Sequence, residues 1–297
     1  MIRQAVIADD LTGAADTGIQ FGRFGNQTLL VPHKELAGIN PGSIKGVLAV
    51  TTESRNLSPA AAGERVRQTG MAVGRLGPQM AFKKIDSCMR GNIGAEVAAL
   101  ADAFGCRGAL IAPAFPAQGR ITLHDVHYVH NIPVADSEMA RDPVSPVRVS
   151  RLSALIALQY RQPVGRIDAV DLDGDPWRLK TLVEDLLKQG RRLIVCDAAH
   201  QRHLEVVARL ANDQFPHLLL AGSAGLAQAL VRCQFEGTEV RPASMDAVGE
   251  NLLFVCGSGS DVLKSQVEAL TRKTGIPRHI MVPGRSASPS DRSDAIA

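Results

Sequence analysis

Short apolar runs alternate along the chain with longer segments whose apolar positions recur at helical spacing. The runs are rich in Val, Leu, Ile and Ala and are bounded by Gly, Asp, Ser or Pro, which is typical of buried strands. They predict strands at residues 4–8, 27–31, 46–50, 80–85, 109–112, 164–170, 193–196 and 218–221. Helices are predicted between most of these strands, at residues 13–24, 58–75, 93–105, 149–160, 175–190 and 201–210, and after the glycine turn at 222–225.

This alternation predicts an α/β fold: a mostly parallel sheet with helices on both faces, plus an incomplete second α/β domain. Residues 120–134 indicate a β-hairpin with its turn at His130 and Asn131. We expect an N-terminal domain at residues 1–235, a linker at 236–249 and a single strand–helix–strand unit at 250–283, the start of a truncated domain. The small, polar residues 284–297 predict a disordered tail.

Composition narrows the possible functions. The apolar fraction is 45% with only 4% aromatic residues, which suits the core of a parallel sheet. The net charge of +3 comes from interspersed basic and acidic residues, so neither nucleic acid nor an anionic membrane is an expected partner. Five cysteines at wide spacing give no zinc motif and indicate thiols in a reducing compartment. With no signal-like or membrane-spanning run, we expect a soluble, cytoplasmic protein.

The most informative stretch is FKKIDSCMRGN, which leads from a strand at residues 80–85 into a helix. Its loop gathers Lys84, Asp86, Ser87 and Arg90, and glycines stand at the helix entrance. Free N–H groups at a helix start, together with cations, favour an anion, and open α/β sheets bind ligands at the carboxyl ends of their strands. An ordinary strand-to-helix turn with solvated lysines is the structural alternative. Asp86 among the cations favours a ligand site.

Two further strand ends carry charged residues. Asp9 and Asp10 follow the first strand, where they either hold substrate hydroxyls, a metal or a proton, or cap the next helix. A phosphatase of the aspartyl-nucleophile type would need a second Asp two positions after the nucleophile, but Leu11 and Thr12 occupy those positions. Arg55 lies in the next strand-to-helix loop, where its planar guanidinium is suited to a carboxylate, although a surface arginine is the simpler reading.

Three other features of the sequence are less informative about function. His124, His127 and His130 recur every three residues, a spacing that puts neighbours on opposite faces of a strand and argues against a shared metal. The turn at residues 222–225 (GSAG) is suited to close packing. In the second unit, Gly257 and Ser258 open a glycine-serine turn that could cradle a phosphate.

Six motifs occur in order: ADDLTGAADTG, TTESR, KKIDSCMRGN, APAFPAQGR, GSAGLA and CGSGS. With them the chain resembles the four-carbon acid sugar kinases, which phosphorylate threonate, erythronate or 3-oxo-tetronate with ATP. The resemblance implies a sugar-acid-binding N-terminal domain and a nucleotide-binding C-terminal domain. It implies substrate contacts at Asp10, Arg55, Lys84, Asp86 and Ser87, and a nucleotide contact at Ser258. Cys88 stands where the family usually has Thr, and the family's later glycine-rich nucleotide motifs do not follow residue 283.

The resemblance implies phosphoryl transfer from Mg²⁺-ATP, in which the protein mainly positions groups and neutralises charge. On this hypothesis Arg55 and Lys84 hold the sugar-acid carboxylate, and Asp10 and Asp86 hold hydroxyls and accept the proton, with the base left open. ATP approaches from the side of Ser258. The alternative is a non-catalytic sugar-acid-binding remnant that does not hold ATP, and a phosphatase ranks below both. Self-association is expected if the unfinished unit leaves apolar surface uncovered.

Overall fold

The computed structural model of the chain describes residues 1–40, 42, 44–234, 253–257 and 261–280. It divides into two compact units, Met1–Pro242 and Ala243–Ala297, and each is described by itself. The predicted linker, the predicted tail and Ser258 lie outside the described residues.

The first unit is built on an eight-stranded sheet in which every neighbouring pair is parallel. A separate three-stranded antiparallel sheet follows β5 in the chain. The strands are β1 (Ile2–Ala8), β2 (Gln27–Pro32), β3 (Gly46–Thr51), β4 (Met80–Lys84), β5 (Gly108–Ala112), β6 (Arg120–Leu123), β7 (Val126–Val129), β8 (Ile132–Pro133), β9 (Val164–Ile167), β10 (Leu193–Cys196) and β11 (Leu218–Gly222). In space the large sheet runs β2-β3-β1-β4-β11-β5-β10-β9.

Helices cover both faces of the large sheet, so the predicted α/β class is confirmed. The helices of the first unit are α1 (Leu11–Gly22), α2 (Pro59–Arg75), α3 (Ile93–Ala103), α4 (Leu152–Ala157), α5 (Ala169–Leu172), α6 (Pro176–Lys188), α7 (Gln201–Arg209) and α8 (Ala224–Gln234). One core lies under α1, α6, α7 and α8, and the other under α2, α3 and α4. β1 serves both, because alternate residues point to opposite faces: Val6 enters the first core and Ile7 the second.

Two predicted elements are shorter than expected because backbone groups find other partners. The strand predicted at residues 164–170 ends at Ile167, since the Asp168 amide donates to the Asp171 carboxylate (2.9 Å) and starts α5. The helix predicted at 149–160 begins only at Leu152. Upstream of it, the His127 amide donates to the Ser150 carbonyl (2.8 Å), so this segment lies along β7 instead.

The predicted hairpin is a three-stranded meander with two turns. His130 and Asn131 form the expected turn, and His124 and Asp125 form a second one; all four have positive φ. The second turn is fixed by a distant residue, because the Asp197 carboxylate at the end of β10 accepts from the amides of His124 (2.7 Å) and Asp125 (3.0 Å). Sequence periodicity alone does not reveal such a contact.

In the second unit the predicted helix is present as α9 (Asp261–Thr274). Residues 253–257 and 275–280 have no strand conformation, although strands were predicted on both sides of the helix. A strand needs a neighbouring strand to receive its backbone hydrogen bonds. Neither segment pairs with a strand anywhere in the described part of the chain.

The sheet order places the candidate site. In the sheet, β2 and β3 lie on one side of β1 and β4 lies on the other. The order in which the chain adds strands therefore reverses at β1. α1 packs on one face of the sheet and α2 and α3 on the other, and open α/β sheets bind ligands at such a reversal, beyond the carboxyl ends of the strands, which here are β1, β3 and β4. Among the helices the structure describes, none is long and apolar enough to cross a membrane.

Candidate functional site

Charged side chains from three loops meet at the carboxyl edge of β1, β3 and β4. Asp9 and Asp10 follow β1, Arg55 follows β3, and Asp86 and Arg90 follow β4. We call these five residues the arginine cluster. The sequence placed all five at strand ends, and the structure brings them together.

Arg55 is the centre of the arginine cluster. Its Nε and Nη2 donate to Asp9 Oδ2 (2.7 Å) and Oδ1 (3.0 Å), which makes a bidentate pair. Its Nη1 lies 2.7 Å from Asp10 Oδ2, and Nη2 lies 3.7 Å from Asp86 Oδ1. Burial alone would lower the pKa of Arg55, but the bond to Asp9 and the charges of Asp86 and Asp10 raise it above its usual value. Each of the guanidinium nitrogens is therefore already paired with a carboxylate.

Asp10 has both of the roles considered from the sequence. It is the cap of α1, where its Oδ1 accepts from the Gly13 amide (2.8 Å). Its other oxygen pairs with Arg55, and its side chain is 28% exposed, against 4% for Asp9. Of these two neighbouring carboxylates, Asp10 is the one that a ligand can reach.

Asp86 is held by a tight turn after β4. Its Oδ2 accepts from the amides of Cys88 and Arg90 (both 3.2 Å) and from Arg90 Nε (2.9 Å), and its Oδ1 accepts from Arg90 Nη2 (3.0 Å). Burial would raise the pKa of Asp86, but Arg90, Arg55 and Lys84 together hold it well below its usual range. Arg90 is fixed in turn by Asp142, whose Oδ2 lies 3.2 Å from Nη1.

Neighbouring polar groups fix the backbone of these loops. Asn92 Nδ2 donates to the carbonyls of Ser54 and Arg55 (both 3.3 Å) and of Leu57 (2.9 Å), which ties the β3 loop to the β4 loop. Gly91 has a φ of +91°, and a Cβ there would lie 3.2 Å from Asp9 Oδ2. Glycine is therefore required for this close approach.

His127 supports the same loop from the meander. It is fully buried, and its Nε2 lies 2.8 Å from the Ser87 carbonyl while Nδ1 lies 2.9 Å from Thr122 Oγ1. Because a carbonyl only accepts, Nε2 carries the proton and Nδ1 accepts from the threonine hydroxyl. Burial lowers the pKa of His127 to about 4, and the ring is neutral near pH 7. His127 thus positions Ser87, which is half-buried.

Two adjacent lysines of β4 have opposite surroundings. Lys83 Nζ lies 2.8 Å from Glu96 Oε2 on α3 and donates to the Lys84 carbonyl (2.9 Å), and the pair is fully buried. Burial raises the pKa of Glu96, and Lys83 opposes that rise. Lys84 points to the other face, where its Nζ would lie 2.9 Å from a Cβ on Gly13 of α1. Lys84 is only 5% exposed, yet its ammonium has no hydrogen bond or ion pair with any residue the structure describes.

Arg120 and Asp16 were not singled out from the sequence, although both lie within motifs of the family resemblance. Arg120 starts β6, and its buried Nε has no hydrogen-bond partner among the described residues. Asp16 is an exposed residue of α1. Partial desolvation raises the pKa of Asp16, and the charges of Lys84 and Arg120 oppose that rise. The charges of Lys84 and Arg120, which we call the open cations, therefore both act on the same residue of α1.

The remaining candidates do not gather at this edge. His124 and His130 lie in turns, and the described residues contain no group of three or more His, Cys, Asp or Glu side chains that could hold a metal. Ser223 donates to the Ala114 carbonyl (2.6 Å), so the GSAG turn serves packing. Gly257 is exposed, with no atom within 4 Å of a Cβ built on it. Cys88 is buried, which raises the pKa of its thiol, as does nearby Asp86.

The arrangement is suited to a small anion that also carries hydroxyl groups. The open cations offer charge, while Asp10 offers a carboxylate oxygen that a hydroxyl can approach. Asp9 and Asp86 are already paired with arginines, and Ser258, the residue expected to contact a nucleotide, lies outside the described residues.

Comparison with known proteins identifies the family to which this chain is similar. The family model described as "Sugar-binding N-terminal domain" matches residues 4–230. A D-threonate kinase of Salmonella typhimurium is 35% identical over 268 residues, which cover 90% of this chain and 60% of the relative. A D-erythronate kinase of Heliobacterium modesticaldum is 31% identical over 300 residues, 98% of this chain and 67% of the relative. The chain thus spans about 60% of the length of the first of these relatives.

A solved structure shares the fold. It is a domain of unknown function from Bordetella bronchiseptica, with bound citrate, as a domain-swapped dimer. It is 31% identical, with a TM-score of 0.68, and the match covers 78% of this chain and 56% of that one.

Proposed function

The chain belongs to the family of the sugar-binding N-terminal domain, and we propose that it forms the acid-binding part of an ATP-dependent kinase for a four-carbon sugar acid. The family and the kinase names of the relatives support a phosphotransferase. The observation that carries the substrate class is Lys84, a buried cation without a partner among the described residues, beside the reachable carboxylate of Asp10. A sugar acid supplies the complementary groups, a carboxylate and several hydroxyls.

The geometry changes the roles first expected of the site residues. Arg55 was expected to hold the substrate carboxylate, but its donors are directed to Asp9 and Asp10. We assign the carboxylate to Lys84 and give Arg55 the role of positioning Asp10. Asp86 accepts four hydrogen bonds and has a strongly lowered pKa, which makes it a poor proton acceptor. Asp10 is the better candidate for the hydroxyl and its proton.

ATP and Mg²⁺ enter this proposal from the kinase relatives, because Ser258 lies outside the described residues. ATP is the second substrate, and Mg²⁺ supplies charge neutralisation on its phosphates. We also propose a cytoplasmic location, which the free thiols of the described cysteines support. A homo-oligomer is proposed from the domain-swapped dimer of the Bordetella bronchiseptica relative.

The test measures binding and turnover separately on the full chain. Calorimetric titration with D-threonate, D-erythronate and 3-oxo-tetronate should show saturable binding of at least one acid. A coupled assay of ADP release with Mg²⁺-ATP should then show turnover of that acid. No binding of any of the three acids would refute the proposed substrate class.

The second candidate is a sugar-acid-binding protein without kinase activity. It is favoured by one observation, that the carboxylates of Asp9 and Asp86 are already paired with arginines and so are not free to hold Mg²⁺. Saturable acid binding together with background ADP release would establish it in place of the kinase.

A further inference from the structure

We propose that Arg120 is a specificity-determining residue that binds the substrate carboxylate together with Lys84. The inference rests on the proposed function, since it concerns how the same site recognises an acid. It assigns to the meander, through Arg120, a direct part in substrate recognition.

Arg120 has a hydrogen-bond donor that no described residue uses. Its Nη1 donates to Gln118 Oε1, while its Nε is buried without a partner among the described residues. A buried donor left without an acceptor is costly, and a ligand that supplies the acceptor removes that cost. The guanidinium has five donors in a planar fork that suits a carboxylate.

Arg120 lies on the side of β6 that faces the loop after β4. Residues two apart on a strand share a face, so Arg120 lies on the same side of β6 as Thr122. Thr122 bonds to His127, which bonds to the Ser87 carbonyl, so this side faces the loop after β4. The charge of Arg120 accordingly acts on both Cys88 and His127.

Arg120 and Lys84 both act on the same helix, α1. A Cβ on Gly13 of α1 would lie 2.9 Å from Lys84 Nζ, and the charges of both cations act on Asp16 of the same helix, Lys84 more strongly. No described residue accepts a hydrogen bond from Lys84 Nζ or from Arg120 Nε. Two cations that both act on Asp16, each with a donor that no described residue accepts, suit a single carboxylate that contacts both.

The backbone before β6 is built to hold Arg120 in place. Phe115 and Arg120 exchange backbone hydrogen bonds of 2.8 and 3.2 Å across a tight turn. Within that turn Gly119 has a φ of +69°, and a Cβ on it would lie 2.5 Å from His130 Nδ1. The turn therefore requires glycine immediately before Arg120.

The experiment compares the acid with its neutral amide, since only the acid engages a cation strongly. Calorimetry on the full chain would use D-threonate or D-erythronate and the matching amide. The variants are Arg120→Gln, Arg120→Lys and, as a matched control, Arg166→Gln. Arg166 is 45% exposed on β9, four strands from β4, and removal of its charge changes the net charge equally.

We expect Arg120→Gln to weaken acid binding roughly ten- to a hundred-fold and to leave amide binding within about two-fold. Arg120→Lys should recover part of the loss, and Arg166→Gln should match the original chain. Urea unfolding of each variant shows that it is folded.

The outcomes separate this inference from the proposed function. If the original chain binds the acid and Arg120→Gln binds it equally well, the role of Arg120 is refuted and the proposed function stands. If Arg120→Gln weakens acid and amide alike, Arg120 acts only on structure and the inference is also refuted. If the original chain binds no four-carbon acid, both proposals fail together.

Discussion

The arginine cluster and the open cations lie at the same edge of the sheet but differ in how their charges are satisfied. In the arginine cluster every guanidinium and every carboxylate has a partner, and Asp9 and Asp86 are nearly inaccessible. The open cations keep donors without partners in the part of the chain the structure describes. The first group gives the loops a fixed shape, and the second leaves charge available to a ligand.

The two lysines of β4 show the same difference one residue apart. Lys83 faces α3 and is paired with Glu96, whereas Lys84 faces α1 and is unpaired in the described structure. Fixing the loops with ion pairs carries a cost, because the donors of Arg55 and the oxygens of Asp86 are then no longer available to a substrate, and of the cluster's carboxylates that follow β1 only Asp10 stays within reach of one. The difference leads to four predictions.

Arg55→Ala should cause the largest loss of stability. It leaves the buried Asp9 carboxylate without its bidentate partner, and breaking a buried ion pair typically costs about 3–5 kcal/mol. Urea unfolding would measure the change in the free energy of unfolding, with Arg166→Gln as the control. A change below about 1 kcal/mol would show that Arg55 does not fix the loops.

The pH dependence of stability should report on His127. Its pKa is lowered from 6.5 to about 4 in the folded protein, so below pH 6.5 the unfolded chain takes up the proton first. Stability contributed by the neutral ring is therefore lost as the pH falls from about 6.5 to about 4, by about 3 kcal/mol. Urea unfolding across this range should show the loss of stability. The His127→Gln variant should lose less stability over the same pH range, because it lacks the titrating ring. Identical pH profiles would contradict the assignment.

Lys84→Met should separate binding from stability. We expect acid binding to weaken by about 1.5–3 kcal/mol, while stability is unchanged or increases, because the buried cation has no partner among the described residues. Lys83→Met is the matched control and should show the reverse pattern, a loss of stability from the unpaired Glu96. Calorimetry and urea unfolding on both variants test the comparison directly. Equal losses of stability would remove the distinction between the two lysines.

Gly119→Ala should produce the smallest effect. A positive φ costs a non-glycine residue about 1–2 kcal/mol, and the new Cβ also meets the His130 ring. Gly77→Ala provides the control, since Gly77 has a φ of +66° with nothing within 4 Å of a Cβ. Both variants should lose stability in urea unfolding, Gly119→Ala more because of the contact with His130, but only Gly119→Ala should weaken acid binding. Unchanged binding would mean that the turn does not position Arg120.

Sequence patterns predicted the sheet well, because the buried strands are continuous apolar runs bounded by clear turn residues. β10 spans Leu193–Cys196 as expected, and β3 is one residue longer than expected. The strand-end rule also placed Asp10, Arg55 and Asp86 at one edge. The prediction of a hairpin at residues 120–134 was wrong in part, because the turn at His124 depends on Asp197, more than 70 residues away.

The distribution of charge within the site could not be predicted. Arg55 and Arg120 are both arginines in loops or at a strand start, and nothing local distinguishes the paired one from the open one. Which donor is used depends on which carboxylate lies within about 3 Å, a distance set only when the sheet is assembled. The period of two along β4 does send Lys83 and Lys84 to opposite faces, but it does not say which face holds an acid.

The position of β11 bears on how the protein is made. This strand comes last in the sheet along the chain, yet it lies between β4 and β5 and pairs with both. During synthesis the strands before it can form only two separate ribbons, each with an inner edge open to other chains. A ribosome must therefore translate past Gly222 before Lys84 gains its neighbour on that side, and the edge that carries the candidate site is completed late.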